Sequence, residues 1–304
     1  MILEQANNEE QISLDFLTYE IWGGSLPLKL YLEQQRSLRE HPCLATRMKT
    51  WVFKDKDNTI LCSCEAFQMT SSHGTVFALS TGFTPRKLRS QGYGSKMTPF
   101  LMERLKSEGG VAAIIFSDIG IEPYSKLGYI PKHAQDLIVP AKKTELDPKI
   151  KFFKLNELGV KEDIQSLQKY LEGFYVLPSW PQFLLHLELE KMLSHRPRFS
   201  GAKIGDSILI WRAEHKSNSL HSLLFMPRSS QDAKALINAA QTIGAEIGVK
   251  NIVFWIESPH LPFWKDLSQT DQIVNRESSI PMIYPLKPEI DATQWNWIPF
   301  ALWV

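Results

Sequence analysis

Cysteine is scarce in this chain: three in 304 residues, Cys43, Cys62 and Cys64, which argues against a disulfide framework. Cys62 and Cys64 lie two apart in an apolar run, but no second Cys or His pair stands at zinc-ligand spacing, so no metal is expected. Net charge is nearly absent as well. The 34 basic and 33 acidic residues leave +1, which provides no global field for a nucleic-acid backbone or an anionic membrane surface. Long hydrophobic runs are missing, and nothing approaches the ~20 apolar residues that span a bilayer. The N-terminus turns polar directly after Met1-Ile2-Leu3, without a signal-peptide pattern. A cytoplasmic, reducing setting is therefore expected, with a small molecule as partner and neither nucleic acid nor membrane.

What is present is an ordinary globular balance, 43% hydrophobic and 22% charged. At about 150 residues per domain the length suggests two domains, each large enough for its own core. Leu28 to Leu38 has helical periodicity. Trp51-Val52-Phe53 and Thr59 to Phe67 read as a hairpin around an Asp- and Asn-rich turn at 54–58. Thr75 to Phe83 is a further strand. A basic loop from Pro85 to Gly94 leads to a helix at 95–107, with Ser95 as its N-cap. Val111 to Phe116 is a buried-type strand, and a short helix over 123–127 ends at Gly128.

Between Pro131 and Pro148 the sequence is polar and irregular, with Lys142, Lys143 and Asp147. The boundary falls there, giving domains at 1–140 and 150–304. The second half weakly echoes the first: a strand at 220–226, Pro227-Arg228, a helix at 231–247, Gly248 and a strand at 251–256. The echo has no glycine loop, so no second cofactor site is expected in it.

The stretch from Phe83 to Ser95 carries the most chemistry. A helix N-terminus offers N–H groups without intrahelical partners and a partial positive charge, which suits phosphate. Gly92 and Gly94 remove side chains that would hold an anion away, and Arg86, Lys87, Arg89 and Lys96 add local charge. A plain strand-to-helix turn with solvated arginines would look similar. A nucleotide P-loop is disfavoured by the absence of G-x-x-x-x-G-K-S/T, and a Rossmann site by the missing third glycine.

Arg89-Ser90-Gln91-Gly92-Tyr93-Gly94 resembles the acetyl-CoA motif Gln/Arg-x-x-Gly-x-Gly/Ala of the GNAT superfamily of N-acetyltransferases. Tyr124-Ser125-Lys126-Leu127-Gly128-Tyr129, after Ser117-Asp118-Ile119-Gly120, looks like the Tyr-x-Lys-x-Gly-Phe/Tyr motif of the same superfamily. Further segments are similar to fungal lysine N6-acetyltransferase-like proteins. They include Ile21-Trp22-Gly23, Leu61-Cys62-Ser63-Cys64-Glu65, Leu177-Pro178-Ser179-Trp180 with His186, and the tryptophan-rich tail from Trp295 to Val304. Ser90-Gln91 departs from that pattern, where Gly-Lys is frequent.

The resemblance implies an α/β fold with a mixed, splayed central sheet, followed by a second, smaller α/β domain that is GNAT-like or forms the acceptor pocket. It implies acetyl-CoA as co-substrate, its pyrophosphate on the amides of Arg89, Ser90, Gln91, Gly92, Tyr93, Gly94 and Ser95. The pantetheine arm would lie along Leu79, Ser80, Thr81 and Phe83 as an added strand. The acceptor would be a primary amine, with lysine the most specific choice. A polyamine, an aminoglycoside or a protein N-terminus are alternatives, as is a non-catalytic acetyl-CoA-binding module.

Direct attack needs a neutral amine, and with a side-chain pKa of about 10.4 only of the order of one lysine in a thousand is neutral at pH 7. Tyr124 is the candidate proton donor to the leaving thiolate, against a reading in which it only packs the short helix. Glu65, placed at a strand end, is the candidate base, against a solvated carboxylate. The terminal carboxylate of Val304 is a further candidate. Asp118 reads equally as a turn residue, His73 as a turn histidine and His186 as a packed one. Trp180, Trp211, Trp255, Trp264, Trp295, Trp297 and Trp303 read mainly as packing. Trp297 and Trp303 are the ones to test for an acceptor pocket.

Overall fold

The structure, a computed structural model, describes residues 1–24, 27–42, 44–155, 157, 160–178, 182–183, 186, 197–214, 217–256 and 273–303. Cys43, Trp180, Trp264, Val304 and most of the helix expected from Gln182 lie outside these residues.

The chain begins with β1 (Ile2–Gln5), α1 (Asn8–Trp22) and α2 (Leu28–Glu40), then β2 (Met48–Lys54), β3 (Ile60–Ser71) and β4 (Gly74–Phe83). It continues through α3 (Tyr93–Ser107), β5 (Gly110–Ser117), α4 (Glu122–Ser125) and β6 (Ile130–Pro131). Next come β7 (Gln135–Pro140), β8 (Lys151–Phe153), α5 (Val160–Ser166), β9 (Val176–Leu177), β10 (Gly201–Ile204), β11 (Ser207–Glu214) and β12 (Ser219–Met226). The last elements are α6 (Ser230–Ile247), β13 (Asn251–Trp255), β14 (Ile273–Asn275) and β15 (Ile280–Pro285).

These elements form two compact units, one of residues 1–131 and 281–292, the other of 132–280 and 293–303. In the first, the strands stand in the order β1-β2-β3-β4-β5-β15-β6. β4 and β5 run parallel with α3 as their crossover, while β1–β2, β2–β3 and β3–β4 are antiparallel. Parallel strands buried on both faces read as continuous apolar runs. Val76, Phe77, Ala78 and Val111 to Ile115 are all buried accordingly. α3 buries Met97, Leu101, Met102 and Leu105 at helical spacing. α1 opens with a full capping box, in which the Asn7 side chain accepts from the Glu10 N–H and the Glu10 carboxylate from the Asn7 N–H.

The second unit has a seven-stranded sheet in the order β14-β7-β13-β12-β11-β10-β8. β12 and β13 are its parallel pair, with α6 as crossover. This repeats the order of the first sheet, and the second unit is no smaller than the first, contrary to expectation.

Two segments sit where sequence did not place them. The region 131–148, read as irregular, contains β7, an inner strand of the second sheet, antiparallel to both β13 and β14. Its run Asp136-Leu137-Ile138-Val139 is short and bounded by proline, so periodicity is weak, yet Leu137 is almost fully buried. β15 returns from the C-terminal region to the first sheet, between β5 and β6. A boundary at 140–150 does not anticipate that return, because strand pairing across such a sequence distance leaves no local signal.

Candidate active site

The site is built at the point where β4 leaves β5. Their parallel pairing runs from Thr75 opposite Gly110 to Leu79 opposite Ile115 and ends there, while β4 continues to Phe83. On its other edge β4 carries a bulge. Ser80 pairs with Glu65 and Phe83 with Ser63, so β4 has one residue more than β3 in this stretch. Thr81 occupies the bulge with φ 52°, a strained conformation for a β-branched residue. The bulge turns the Thr81 side chain onto Glu65, whose carboxylate accepts a hydrogen bond from Oγ1 of Thr81.

Glu65 is therefore not at a strand end, as expected, but within β3 and beside the bulge. It is half-buried, and its pKa is raised because burial disfavours the charged carboxylate. The Thr81 hydrogen bond opposes that rise, as does the positive charge of Arg39, while Asp15 reinforces it. Asp15 and Arg39, from α1 and α2, form a two-pronged ion pair, with Nη1 of Arg39 2.8 Å from Oδ1 of Asp15. Next to it, Thr18 and Tyr31 share a buried hydroxyl–hydroxyl hydrogen bond of 3.0 Å. Of these residues sequence singled out Tyr31 alone, as a position on the apolar face of the helix at 28–38, and not for a polar contact. The N-x-x-E capping signature at Asn7 was the one available signal for α1.

Tyr124 lies in the one-turn helix α4 and is half-buried. Its ring meets Tyr129 edge-on at 5.6 Å, and Tyr129 in turn meets Tyr284 of β15 at 5.3 Å. Burial raises the phenol pKa, helped by the nearby Cys64 and Asp118. Cys64 lies within electrostatic reach of Glu65, Tyr124 and Tyr129. Its sulfur is 3.4 Å from the carbonyl oxygens of both Ser80 and Glu65. Cys64 thus has Glu65, Ser80 and Tyr124 as neighbours, and its thiol is pushed up to about 12 by burial and remains protonated. Asp118 sits in the bend after β5, where Oγ of Ser117 donates to the Gly120 carbonyl at 2.6 Å. His73 is in the tight β3–β4 turn, its Nδ1 2.8 Å from the Ser72 hydroxyl.

Beyond Phe83 the loop makes a 3-10 turn at Arg86–Leu88, and Nε of Arg89 donates to the Thr84 carbonyl at 3.1 Å. Ser90 and Gly92 both take positive φ, 62° and 72°. Gly92 is the N-cap, so α3 begins at Tyr93 rather than after Ser95. A left-handed residue at 92 lets the chain enter the helix earlier than the expected Ser95 cap, which places Gly94 and Ser95 in the first turn.

No side chain caps this 15-residue helix, and its first turn holds no acidic residue. The Lys96 N–H bonds the Gly92 carbonyl at 3.0 Å, so the amides of Tyr93, Gly94 and Ser95 stand ahead of the first intrahelical bond. Arg89, Ser90, Gln91, Gly92, Gly94, Ser95 and Lys96 are all exposed. A Cβ built at Gly92 or Gly94 would meet nothing within 4 Å. The protein's own packing therefore does not require a glycine at 94.

No protein-family model matches the sequence, and no curated protein does. Solved structures do match in shape. A GCN5-related N-acetyltransferase from Anabaena variabilis superposes with TM-score 0.64 at 10% identity, over 94% of this chain and 73% of that one. Another from Kribbella flavida gives 0.62 at 14% identity, over 94% and 72%. A third, from Sphaerobacter thermophilus, gives 0.54 at 11% identity but covers 97% of this chain and 98% of its own. The chain has the fold of GCN5-related N-acetyltransferases, the GNAT fold, followed by a second α/β unit.

Proposed function

We propose that the chain is an acetyl-CoA-dependent N-acetyltransferase whose first unit carries the reaction. The observation that carries this reading is the pairing of two open features on consecutive elements. Among the described residues β4 has no partner strand on its β5 side beyond Leu79, and α3 presents an uncapped N-terminus with room above Gly92 and Gly94. An extended pantetheine arm needs the first, and a diphosphate needs the second. The residues present fit the cofactor: Ser80, Thr81 and Phe83 along the arm, and the amides from Ser90 to Ser95 with Arg89 and Lys96 around the phosphates.

Bound acetyl-CoA supplies a thioester carbonyl that a neutral amine attacks, releasing coenzyme A. A backbone N–H of β4 near Thr81, which has no strand partner on the β5 side among the described residues, serves as hydrogen-bond donor to the carbonyl oxygen as it gains charge. Glu65 takes the proton of the incoming ammonium, directly or through water. Its raised pKa brings it towards the operating pH, where a base works best. The Thr81 hydroxyl holds the carboxylate in place. Tyr124 donates a proton to the leaving sulfur, while the extra proton on the attacking nitrogen passes to solvent, from which the phenol is recharged; its raised pKa keeps the phenol protonated at neutral pH. Lysine as the acceptor is the finer reading, supported by the sequence resemblance.

The test is thiol release from acetyl-CoA with a panel of free amines: lysine, a polyamine, an aminoglycoside and an N-terminal peptide. Turnover with any of them at a rate that needs Tyr124 supports the assignment. Tight coenzyme A binding without turnover on the whole panel would leave a binding module instead.

A further inference from the structure

We propose that the second unit carries its own C-terminal segment, Phe300–Leu302, as a built-in occupant of the cleft that a cofactor arm would otherwise take. The proposal rests on reading the open splay of the first unit as the acyl-arm site.

The second sheet repeats that splay. β12 pairs with β13 only from Ser219 opposite Asn251 to His221 opposite Val253, then runs on to Met226. The β11–β12 ladder slips by a residue at Ile210/Trp211, between Trp211 opposite Ser222 and Ile210 opposite Leu224. Counted from the last parallel pair, this is where β4 bulges against β3: His221 corresponds to Leu79 and Ser222 to Ser80. The backbone device is retained.

Both ends of the would-be channel are filled by protein. At the mouth of the splay the Phe300 ring stands 5.3 Å from His221 of β12 and 4.7 Å from Trp255 of β13, touching both diverging strands. The Arg212 guanidinium lies 5.0 Å over the same ring. Nε2 of His186 is 3.3 Å and Nε2 of Gln182 3.5 Å from the Ala301 carbonyl, so buried side chains grip the segment's backbone. Phe300, Ala301 and Leu302 are themselves buried.

At the other end, α6 is closed to a diphosphate. Ser229 caps it, accepting from the Asp232 N–H at 3.1 Å, and the Asp232 carboxylate sits in the first turn, bonded by the Ser207 hydroxyl at 2.8 Å. A carboxylate already uses the dipole that α3 leaves open. The first unit has the open splay and the bare helix, whereas the second has both closed by side chains of its own.

The experiment is hydrogen exchange on the full chain bearing Phe300→Ala, read segment by segment, with Phe300→Leu as the conservative partner. Residues 219–226 and 251–255 are expected to exchange roughly tenfold or more faster in the alanine variant, with 74–83 and 110–115 unchanged. The leucine variant, which keeps most of the apolar bulk, should restore protection; it also serves if the alanine chain does not fold. Unchanged exchange in 219–226, or an equal rise in both sheets, overturns the proposal. Calorimetric titration of the unmodified chain with coenzyme A should give one molecule per chain, and two per chain likewise overturns it. A chain that takes up none refutes the reading of the first unit, and the exchange result then decides the tail alone.

Discussion

Replacing Ile283 by alanine is expected to weaken the first unit, although residue 283 is more than a hundred residues beyond that unit's main segment. Ile283 is fully buried, lies in β15 opposite Ile130 of β6, and follows Met282, which is also fully buried. Truncating a buried isoleucine to alanine costs about 2–5 kcal/mol, since the transfer free energy is lost and a cavity remains. A domain commonly has only about 5–15 kcal/mol in total, so the loss is a large fraction. For a unit of this size each kcal/mol shifts Tm by roughly 2–4 °C, which predicts a drop of several degrees in the transition that melts the first sheet. Urea unfolding followed by segment-resolved hydrogen exchange is the assay. Faster exchange should appear in 110–117 and 74–83, because β5 loses a well-packed neighbour, and not in 207–214. If protection fell in the second sheet and held in the first, the assignment of β15 to the first unit would be wrong. The same logic predicts that a fragment ending at residue 140 exposes the outer edge of β5 and aggregates rather than folds.

Gly92→Glu should abolish coenzyme A binding, because it places a charged side chain in the open space above a left-handed position; an unchanged calorimetric affinity would refute the diphosphate site. Tyr124→Phe should lower kcat by about 10²-fold or more while the KM for acetyl-CoA stays nearly constant, and full activity would remove the phenol as donor. Glu65→Gln should erase the acidic limb of the kcat/KM–pH profile, a limb lying above the ordinary carboxylate range. The sign for stability is opposite to that for activity. A carboxyl whose folded pKa is raised favours the fold at low pH and loses that contribution as pH rises through it. The glutamine variant should therefore melt at the same temperature as the parent at neutral pH, or higher. A lower Tm together with an unchanged pH profile would show that Glu65 is only a packing residue.

Much of the fold was legible because its information is local. The hairpin of β2 and β3, the strands β4 and β5, and the helix between them follow from runs such as Val111 to Ile115 and from Met97, Leu101 and Leu105 at helical spacing. The loop from Pro85 to Gly94 was legible as a turn into a helix because its glycines mark a change of backbone direction. The misses have a different cause. β15 owes its place to pairing with elements far away in sequence, and Ile280-Pro281-Met282 contains a proline that reads as a break. The Glu65 environment is assembled by a bulge, by Thr81 at positive φ and by the Asp15–Arg39 pair of two helices. No spacing rule connects residues 15, 39, 65 and 81. The cap of α3 was misplaced because serine is the commoner N-cap, whereas here the left-handed Gly92 performs the turn and leaves the amides bare.

That last difference separates the two halves of the chain more sharply than their topology does. Both have antiparallel strands leading into a parallel pair around one helix, and in both the parallel pair parts early on the same side of a slipped ladder. What differs is where polar and apolar groups have been spent. In the second unit the helix dipole is met by Asp232 and the walls of the cleft by the Phe300 ring, both from its own chain. In the first unit, among the described residues, α3 has no side-chain cap and a Cβ at Gly92 or Gly94 would meet nothing within 4 Å, and Thr81 is held in a strained conformation beside a half-buried acid. A strained residue and a half-buried acid of raised pKa are kept together at some cost in stability, and on the proposed function that cost serves the site. On the proposed function the open half is the one that would bind and react, and on the further inference the closed half is a scaffold whose cleft its own chain occupies.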